Sequence, residues 1–199
     1  HGFAMSDPVD GKFRIITTED GGASWKVAPR KGMPKAVEGE FGFAASGTCA
    51  VTAGEKDGYF ATGGTASRIF RTRDFGVTWT EINEGLPVDE VSGSITRVIR
   101  ADPKRRGLLF AGTESGVRVS FDDGDHWQSL KLNMPDTPCW DLTIKDNDLI
   151  VGTYGRGIWV LDNYALLRQL TPGMETARAR LFAPSDAVRV RRNVSDDTP

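Results

Sequence analysis

Residues 72–79 read TRDFGVTW, and this stretch decides the fold because its pattern occurs three times in the chain. The other copies are TEDGGASW at residues 18–25 and SFDDGDHW at residues 120–127. The shared pattern is T/S-x-D-x-G-x-x-W, and we call each eight-residue copy a box. The three aspartates lie 54 and 48 positions apart, and such a period indicates a repeat architecture. The shared residues are Thr18, Asp20, Gly22, Trp25, Thr72, Asp74, Gly76, Trp79, Ser120, Asp122, Gly124 and Trp127.

Short apolar runs surround the boxes. Phe13 and Ile15 alternate with polar residues before the first box, and Val117 and Val119 do so before the third. Short strands bounded by turn residues, in units of about 40–50 residues, are typical of the four-stranded blades of a β-propeller. A fourth copy at residues 149–163 keeps the strand pattern but has lost the box. We therefore predict an all-β fold of about four β-propeller blades, which form a partial propeller.

The repeat also predicts the limits of the blades within residues 1–170. Polar linkers are expected between the first two blades, at 31–41, and before the third, at 85–94. The chain begins with His1 rather than Met, which we interpret as the start of a fragment or a processed product. The predicted blades cover residues 1–30, 42–84, 95–131 and 138–162.

The end of the chain differs from the repeats. A helix is predicted over residues 164–170, because Asp162 or Asn163 can cap its start and a Pro-Gly pair follows it. Residues 171–199 are predicted to hold a final strand, at 187–191, and a polar tail.

The residue types of the box favour a structural role. Aspartate accepts hydrogen bonds from backbone N–H groups in turns, and Ser or Thr two positions earlier can bond to the same turn. Glycine at the fifth place permits a positive φ, and tryptophan covers the turn with a large apolar surface. Asp20, Asp74 and Asp122 could instead be catalytic carboxylates. We favour the structural interpretation because catalytic sites are made of unequal residues, whereas these recur in equivalent places.

Composition excludes several classes of function. The 25 basic and 27 acidic residues give a net charge of −2, which argues against a nucleic-acid binder. No stretch of 18 apolar residues predicts a transmembrane helix, so no membrane insertion is expected. Two cysteines without a CxxC pair predict neither a disulfide scaffold nor a zinc site. Nucleotide-binding, GxSxG and HExxH motifs are absent, and we expect no cofactor and no metal.

The three boxes resemble those of the BNR or Asp-box repeat family, which includes sialidases, xyloglucanases and sortilin. Residues 1–84, which begin HGFAMSDPVDGKFRIITTEDGGASW, look like photosystem II stability/assembly factor-like proteins of bacteria. Residues 95–198, with VGTYGRGIWVLDN at 151–163, look like the end of the propeller in large bacterial proteins labelled sortilin-like or glycosyl hydrolase. The resemblance implies that each box is a turn at the outer rim of a blade. It also implies a periplasmic or secreted location.

Four residues are candidates for binding a ligand. Glycines flank Arg156 in the stretch Tyr154-Gly155-Arg156-Gly157, so a ligand could approach the backbone closely there; alternatively the stretch is a tight turn whose arginine pairs with an acid. Trp140, next to Asp141, could be a platform for a sugar or a residue of the core. Catalytic residues cannot be named, because the arginine triad and the Tyr-Glu pair of sialidases are not recognisable.

These observations favour a non-catalytic scaffold, or a module that binds a protein or carbohydrate, within a larger extracytoplasmic protein. One alternative is a glycoside hydrolase, sialidase-like or xyloglucanase-like, or the remnant of one. The other is an assembly factor for a membrane protein complex. A partial propeller also leaves strand edges unpaired, and these predict self-association.

Overall fold

The computed structural model describes residues 1–42, 49–86, 95–171, 174, 178–184 and 186. Nearly all regular structure in these residues consists of short antiparallel strands, followed by a 3₁₀ helix at Tyr164–Gln169. The strands are β1 (Gly2–Val9), β2 (Lys12–Thr18), β3 (Lys26–Val27), β4 (Glu40–Phe41), β5 (Ala50–Ala53), β6 (Asp57–Ala61), β7 (Gly63–Gly64), β8 (Ile69–Thr72), β9 (Thr80–Glu81), β10 (Thr96–Ala101), β11 (Leu109–Thr113), β12 (Gly116–Ser120), β13 (Gln128–Ser129), β14 (Cys139–Lys145), β15 (Asp148–Thr153) and β16 (Ile158–Leu161).

Four antiparallel sheets follow one another along the chain. We number them as blade 1 (β1–β3), blade 2 (β5, β6, β8 and β9), blade 3 (β10–β13) and blade 4 (β14–β16). Within each blade the strands pair in chain order, and in blade 2 the short β7 lies between β6 and β8 in the chain and pairs separately with β4. The predicted fold class is confirmed, because the chain is all-β and consists of β-propeller blades.

The position of the box shows which strands the two shorter blades hold. In blades 2 and 3 the box connects the third strand to the fourth. The first box connects β2 to β3, so β1 corresponds to a second strand. In blade 4, the pairing of β14 with β15 has a register shift near its start, as the pairing of β10 with β11 has in blade 3. β14 therefore corresponds to β10, which is a first strand. Among the described residues, blade 1 therefore lacks a first strand and blade 4 lacks a fourth.

Each pair of consecutive blades encloses a hydrophobic core, so the side chains of a blade point in two directions. We call the side that faces the following blade the forward side and the other the backward side. In blade 3, Phe110, Val117 and Val119 point forward and are buried against blade 4. Leu109 and Ala111 of the same blade point backward and are buried against blade 2.

The segment between blades 1 and 2 is anchored, although its polar composition predicts a linker. The carboxylate of Glu40 is fully buried. It accepts hydrogen bonds from Arg68 Nε over 2.9 Å and from Thr62 Oγ1 over 2.5 Å. It also accepts the backbone N–H of Val37 over 2.9 Å. A buried carboxylate is tolerated only when it is paired in this way, so Glu40 fixes the segment to blade 2.

The predicted helix at residues 164–170 is a 3₁₀ helix at Tyr164–Gln169, and Asn163 holds its N-cap position with a φ of 50° and without a side-chain capping bond. Tyr164 explains its position: the ring packs edge-on against Phe110, and the hydroxyl donates to Asp102 Oδ2 over 2.7 Å. Tyr164 thus fills the core between blades 3 and 4, where the fourth repeat has no box tryptophan. The predicted final strand at 187–191 lies outside the described residues.

Candidate ligand-binding face

The aspartate of each box closes the same turn. Thr72 Oγ1 donates to Asp74 Oδ1 over 2.8 Å and accepts the backbone N–H of Gly76 over 2.9 Å. Asp74 Oδ1 accepts the backbone N–H of Thr78 over 2.8 Å, and Oδ2 accepts the hydroxyl of Thr78 over 2.5 Å. The other boxes repeat these bonds within 0.1 Å, with Ser24 and His126 in the place of Thr78.

The turn also contains a feature that the sequence did not predict. Glycine at the fifth place has a positive φ in every box, as expected. The residue before it also has a positive φ, which is 58° at Phe75 and 67° at Asp123. Non-glycine residues rarely adopt this conformation, so these two positions carry local backbone strain. The shared pattern does not indicate the positive φ at the fourth place, because that place holds Gly, Phe and Asp in the three boxes.

Hydrogen bonds hold the pKa of the box carboxyls low. Bonds from the side chain and backbone of Ser24, and from the hydroxyl of Thr18, hold the pKa of Asp20 far below its usual 3.8. Burial raises the pKa of Asp74 and Asp122, but the hydrogen bonds within their boxes outweigh burial, and both pKa values are lowered. A carboxyl group that acts as a general acid needs a raised pKa, whereas the pKa of each box carboxyl is lowered.

The tryptophans of the boxes differ in burial. Trp79 and Trp127 are each 5% exposed, whereas Trp25 is 45% exposed. Trp79 packs edge-on against Phe3 of blade 1, and Trp127 donates from Nε1 to the carbonyl of Ile82 in blade 2 over 2.9 Å. Each of these two therefore covers the preceding blade. Trp25 lies on the backward side of blade 1, which faces no other blade in the part of the chain that the structure describes.

The candidate ligand-binding residues lie at the other end of the blades. Trp140 lies at the start of a first strand, and Tyr154 directly follows a second strand. In an antiparallel meander these two points share one end, and the box after the third strand lies at the opposite end. We call the end that holds Trp140 and Tyr154 the connection end, because the second and third strands are connected there.

Trp140 and Tyr154 form an exposed aromatic pair at the connection end. Their rings stack with centroids 5.4 Å apart and an angle of 17° between the planes. Trp140 is 50% exposed and Tyr154 is 65% exposed. The guanidinium carbon of Arg97 lies 4.9 Å from the centroid of the Trp140 ring, and Arg97 Nε donates to Glu114 Oε1 over 2.8 Å. We call Arg97, Trp140 and Tyr154 the aromatic patch.

The strand pairing shows how this patch arises. The register aligns Arg97 of blade 3 with Trp140 of blade 4, and it aligns Glu114 with Tyr154. Blade 3 therefore places an ion pair where blade 4 places two stacked rings. Sequence reasoning missed Arg97 and Glu114, although the shared Gly-Thr pairs at 112–113 and 152–153 already align Glu114 with Tyr154.

The turn after Tyr154 is tight and well connected. Gly155 and Gly157 have φ values of 74° and 77°, and Thr153 Oγ1 donates to the carbonyl of Gly157 over 2.6 Å. The backbone N–H of Tyr154 donates to the carbonyl of Pro138 over 2.9 Å. Arg156 at the tip is exposed, and among the described residues no acidic side chain forms an ion pair with it. The turn thus fixes the backbone of Tyr154 and presents Arg156 to solvent.

Asp141 is not part of the aromatic patch, although it follows Trp140 in the sequence. Its Oδ1 accepts the backbone N–H of Leu142 over 2.8 Å and a hydrogen bond from Arg100 over 3.2 Å. Of the four candidate residues, the structure therefore brings Trp140 and Tyr154 into contact, and Asp141 pairs with blade 3. In the part of the chain that the structure describes, no cluster of His, Cys, Asp and Glu could hold a metal ion, and no helix could cross a membrane.

Comparison with known proteins supports the fold. No family model matches the sequence, and no curated protein matches it. Among solved structures, the GH74 enzyme of Niastella koreensis has a TM-score of 0.51 at 12% identity, over 72% of this chain and 22% of that chain. YCF48 bound to a D1 peptide has a TM-score of 0.46 at 18% identity, over 74% of this chain and 42% of that chain. This chain therefore spans less than half of either protein. The likeness to the GH74 enzyme shows the propeller fold alone.

Proposed function

We propose that this chain is a non-catalytic β-propeller module that binds a protein or carbohydrate ligand through the aromatic patch. The observation that carries the proposal is the exposed stack of Trp140 and Tyr154. Large apolar rings at a surface cost free energy unless a partner covers them, and Trp, Tyr and Arg are the residues most enriched at binding hot spots.

The surroundings of the patch support binding because they limit its motion. Glu114 holds the guanidinium of Arg97, and the hydrogen bond from Tyr154 N–H to Pro138 fixes the backbone beneath the second ring. A surface ordered before binding loses less conformational entropy when the ligand arrives. Two rings and a cation can therefore contact a ligand with little rearrangement.

The carboxylates near the patch support binding rather than hydrolysis. A glycoside hydrolase needs two carboxyl groups that flank a glycosidic bond. At the connection end, Glu114 pairs with Arg97, and Asp141 pairs with Arg100. Both carboxylates are thus engaged with arginines of blade 3.

The three boxes support a narrower assignment among β-propellers. Their sequence resembles the Asp-box repeats, and their hydrogen bonds form one turn geometry three times. We therefore place the chain with Asp-box propellers and regard it as a module of a larger extracytoplasmic protein. The shared box residues then maintain the blades, and the ligand contacts lie at the connection end.

The test measures binding and hydrolysis on the same protein. The chain is presented with β-glucan oligosaccharides, sialosides and a phage library of random peptides. We expect it to bind one of these probes without hydrolysing any of them, and we expect Trp140→Ala and Tyr154→Ala to lose at least tenfold in affinity. Val77→Ala is the control, because it removes an exposed apolar side chain at the box end, outside the patch. Binding that survives in both patch variants, or turnover that one carboxylate substitution abolishes, contradicts the proposal.

A further inference from the structure

Each outer side of the blade array carries an exposed apolar residue, Ile158 or Trp25, whose counterparts in the internal interfaces are buried. On blade 4, Ile158 and Val160 of β16 point forward. The register aligns them with Val117 and Val119 of blade 3, which are buried against blade 4. Ile158 is 75% exposed and Val160 is 55% exposed. The forward side of blade 4 thus resembles an interface between blades, and no blade formed by the described residues faces it.

Blade 1 shows the complementary feature on its backward side. Trp25 corresponds to Trp79, which is buried against blade 1. Ile16 pairs with Val27 in β3, as Phe70 pairs with Glu81 in β9, so Ile16 corresponds to Phe70. Phe70 and Trp79 are buried, whereas Ile16 is partly exposed and Trp25 is 45% exposed. The backward side of blade 1 therefore matches surfaces that are covered by a preceding blade elsewhere in the molecule.

The internal interfaces show which surface fits each of these sides. Between blades 1 and 2, 2 and 3, and 3 and 4, a forward side always packs against a backward side. Each interface is closed by an aromatic side chain near the box end: Trp79, Trp127 and Tyr164. Forward and backward sides of consecutive blades are therefore complementary in each of the three internal interfaces.

We propose that the forward side of blade 4 binds the backward side of blade 1 of a second copy of this chain. The contact is head-to-tail and continues the series of blades across the two molecules, with Trp25 in the role that Trp79 and Trp127 have inside the chain. Because each copy carries both sides, the contact generates a closed ring if the rotation between copies allows closure, and an open chain of copies if it does not.

The test uses one charged substitution on each side. Sedimentation of the 199-residue chain is measured from about 1 µM to about 100 µM, a range that detects weak and moderate association. We expect the chain to associate, and we expect Val160→Asp and Trp25→Asp each to weaken association at least tenfold. Val77→Asp is the matched control, because Val77 is an exposed valine in the second box and lies on neither side. If Val160→Asp does not fold, Ile158→Asp tests the same side.

Mixing the two variants distinguishes a head-to-tail contact from other modes of association. The Val160→Asp copy keeps an intact backward side, and the Trp25→Asp copy keeps an intact forward side. We expect an equimolar mixture to form a dimer at concentrations where each variant alone is a monomer. A wild-type chain that stays a monomer at about 100 µM, a loss of association in only one variant, or a mixture that stays monomeric overturns the proposal.

Discussion

The first and second boxes have the same hydrogen bonds but different surroundings. Asp20 and Asp74 accept bonds from equivalent donors at nearly equal distances. The tryptophan of the second box is buried against blade 1, whereas Trp25 is nearly half exposed. The comparison shows that the eight residues of the box determine the turn, and that the preceding blade determines how much apolar surface the tryptophan buries.

The largest expected effect comes from removing the tryptophans. Trp79→Ala leaves a cavity beside Phe3 and Phe60, and we expect it to lower the free energy of unfolding by about 3–5 kcal/mol. Trp25→Ala removes the same side chain where less surface is buried, so we expect a loss of about 1–2 kcal/mol. Urea denaturation at concentrations where the chain is a monomer measures both. Equal losses would contradict the role given to the preceding blade.

The part of the structure that sequence predicted well depends on short-range contacts. The hydrogen bonds of a box join residues no more than four positions apart, so an eight-residue pattern contains all the partners. Strand alternation and turn residues are local as well, and the all-β propeller fold followed from them.

The part that sequence predicted poorly depends on contacts between distant residues. Trp140 and Tyr154 were separate candidates, and nothing in the local pattern indicated that their rings stack. The sequence predicts the helix at residues 164–170, but it does not indicate that the Tyr164 hydroxyl bonds to Asp102, 62 positions earlier. Such partners meet through the packing of blades, and no local sequence pattern indicates which distant residues this packing brings together.

The second prediction compares the aspartates. Asp74→Ala removes the acceptor of two bonds from Thr78 and one from Thr72, and we expect a loss of roughly 1–3 kcal/mol in stability. Asp20→Ala removes the same bonds in a more exposed turn, where water can replace them, so we expect a smaller loss. Thermal melts of the two variants measure the difference.

The same aspartates predict a dependence on pH. The pKa of Asp74 is lowered in the folded chain, so its contribution is complete above the unfolded value of 3.8 and is lost as the pH falls through the folded value. Asp74→Ala should therefore reduce stability at pH 7 and have little effect at the lowest pH at which the chain stays folded. Unchanged melting of Asp74→Ala at pH 7 would contradict a structural role for the box.

The smallest expected effect concerns the third box, in which His126 stands where the first has Ser24 and the second Thr78. His126 Nδ1 lies 2.6 Å from Asp122 Oδ2, and this hydrogen bond raises the pKa of His126 above its usual 6.5. Because the folded-state pKa is raised, the stabilisation is complete below the unfolded value and is lost as the pH rises through the folded value. We expect the melting temperature to fall slightly over that interval in the wild-type chain. We expect no such fall in His126→Ser, because a hydroxyl makes the same bond at every pH in that range. Parallel pH dependences in the two proteins would show that the imidazolium adds nothing to the turn.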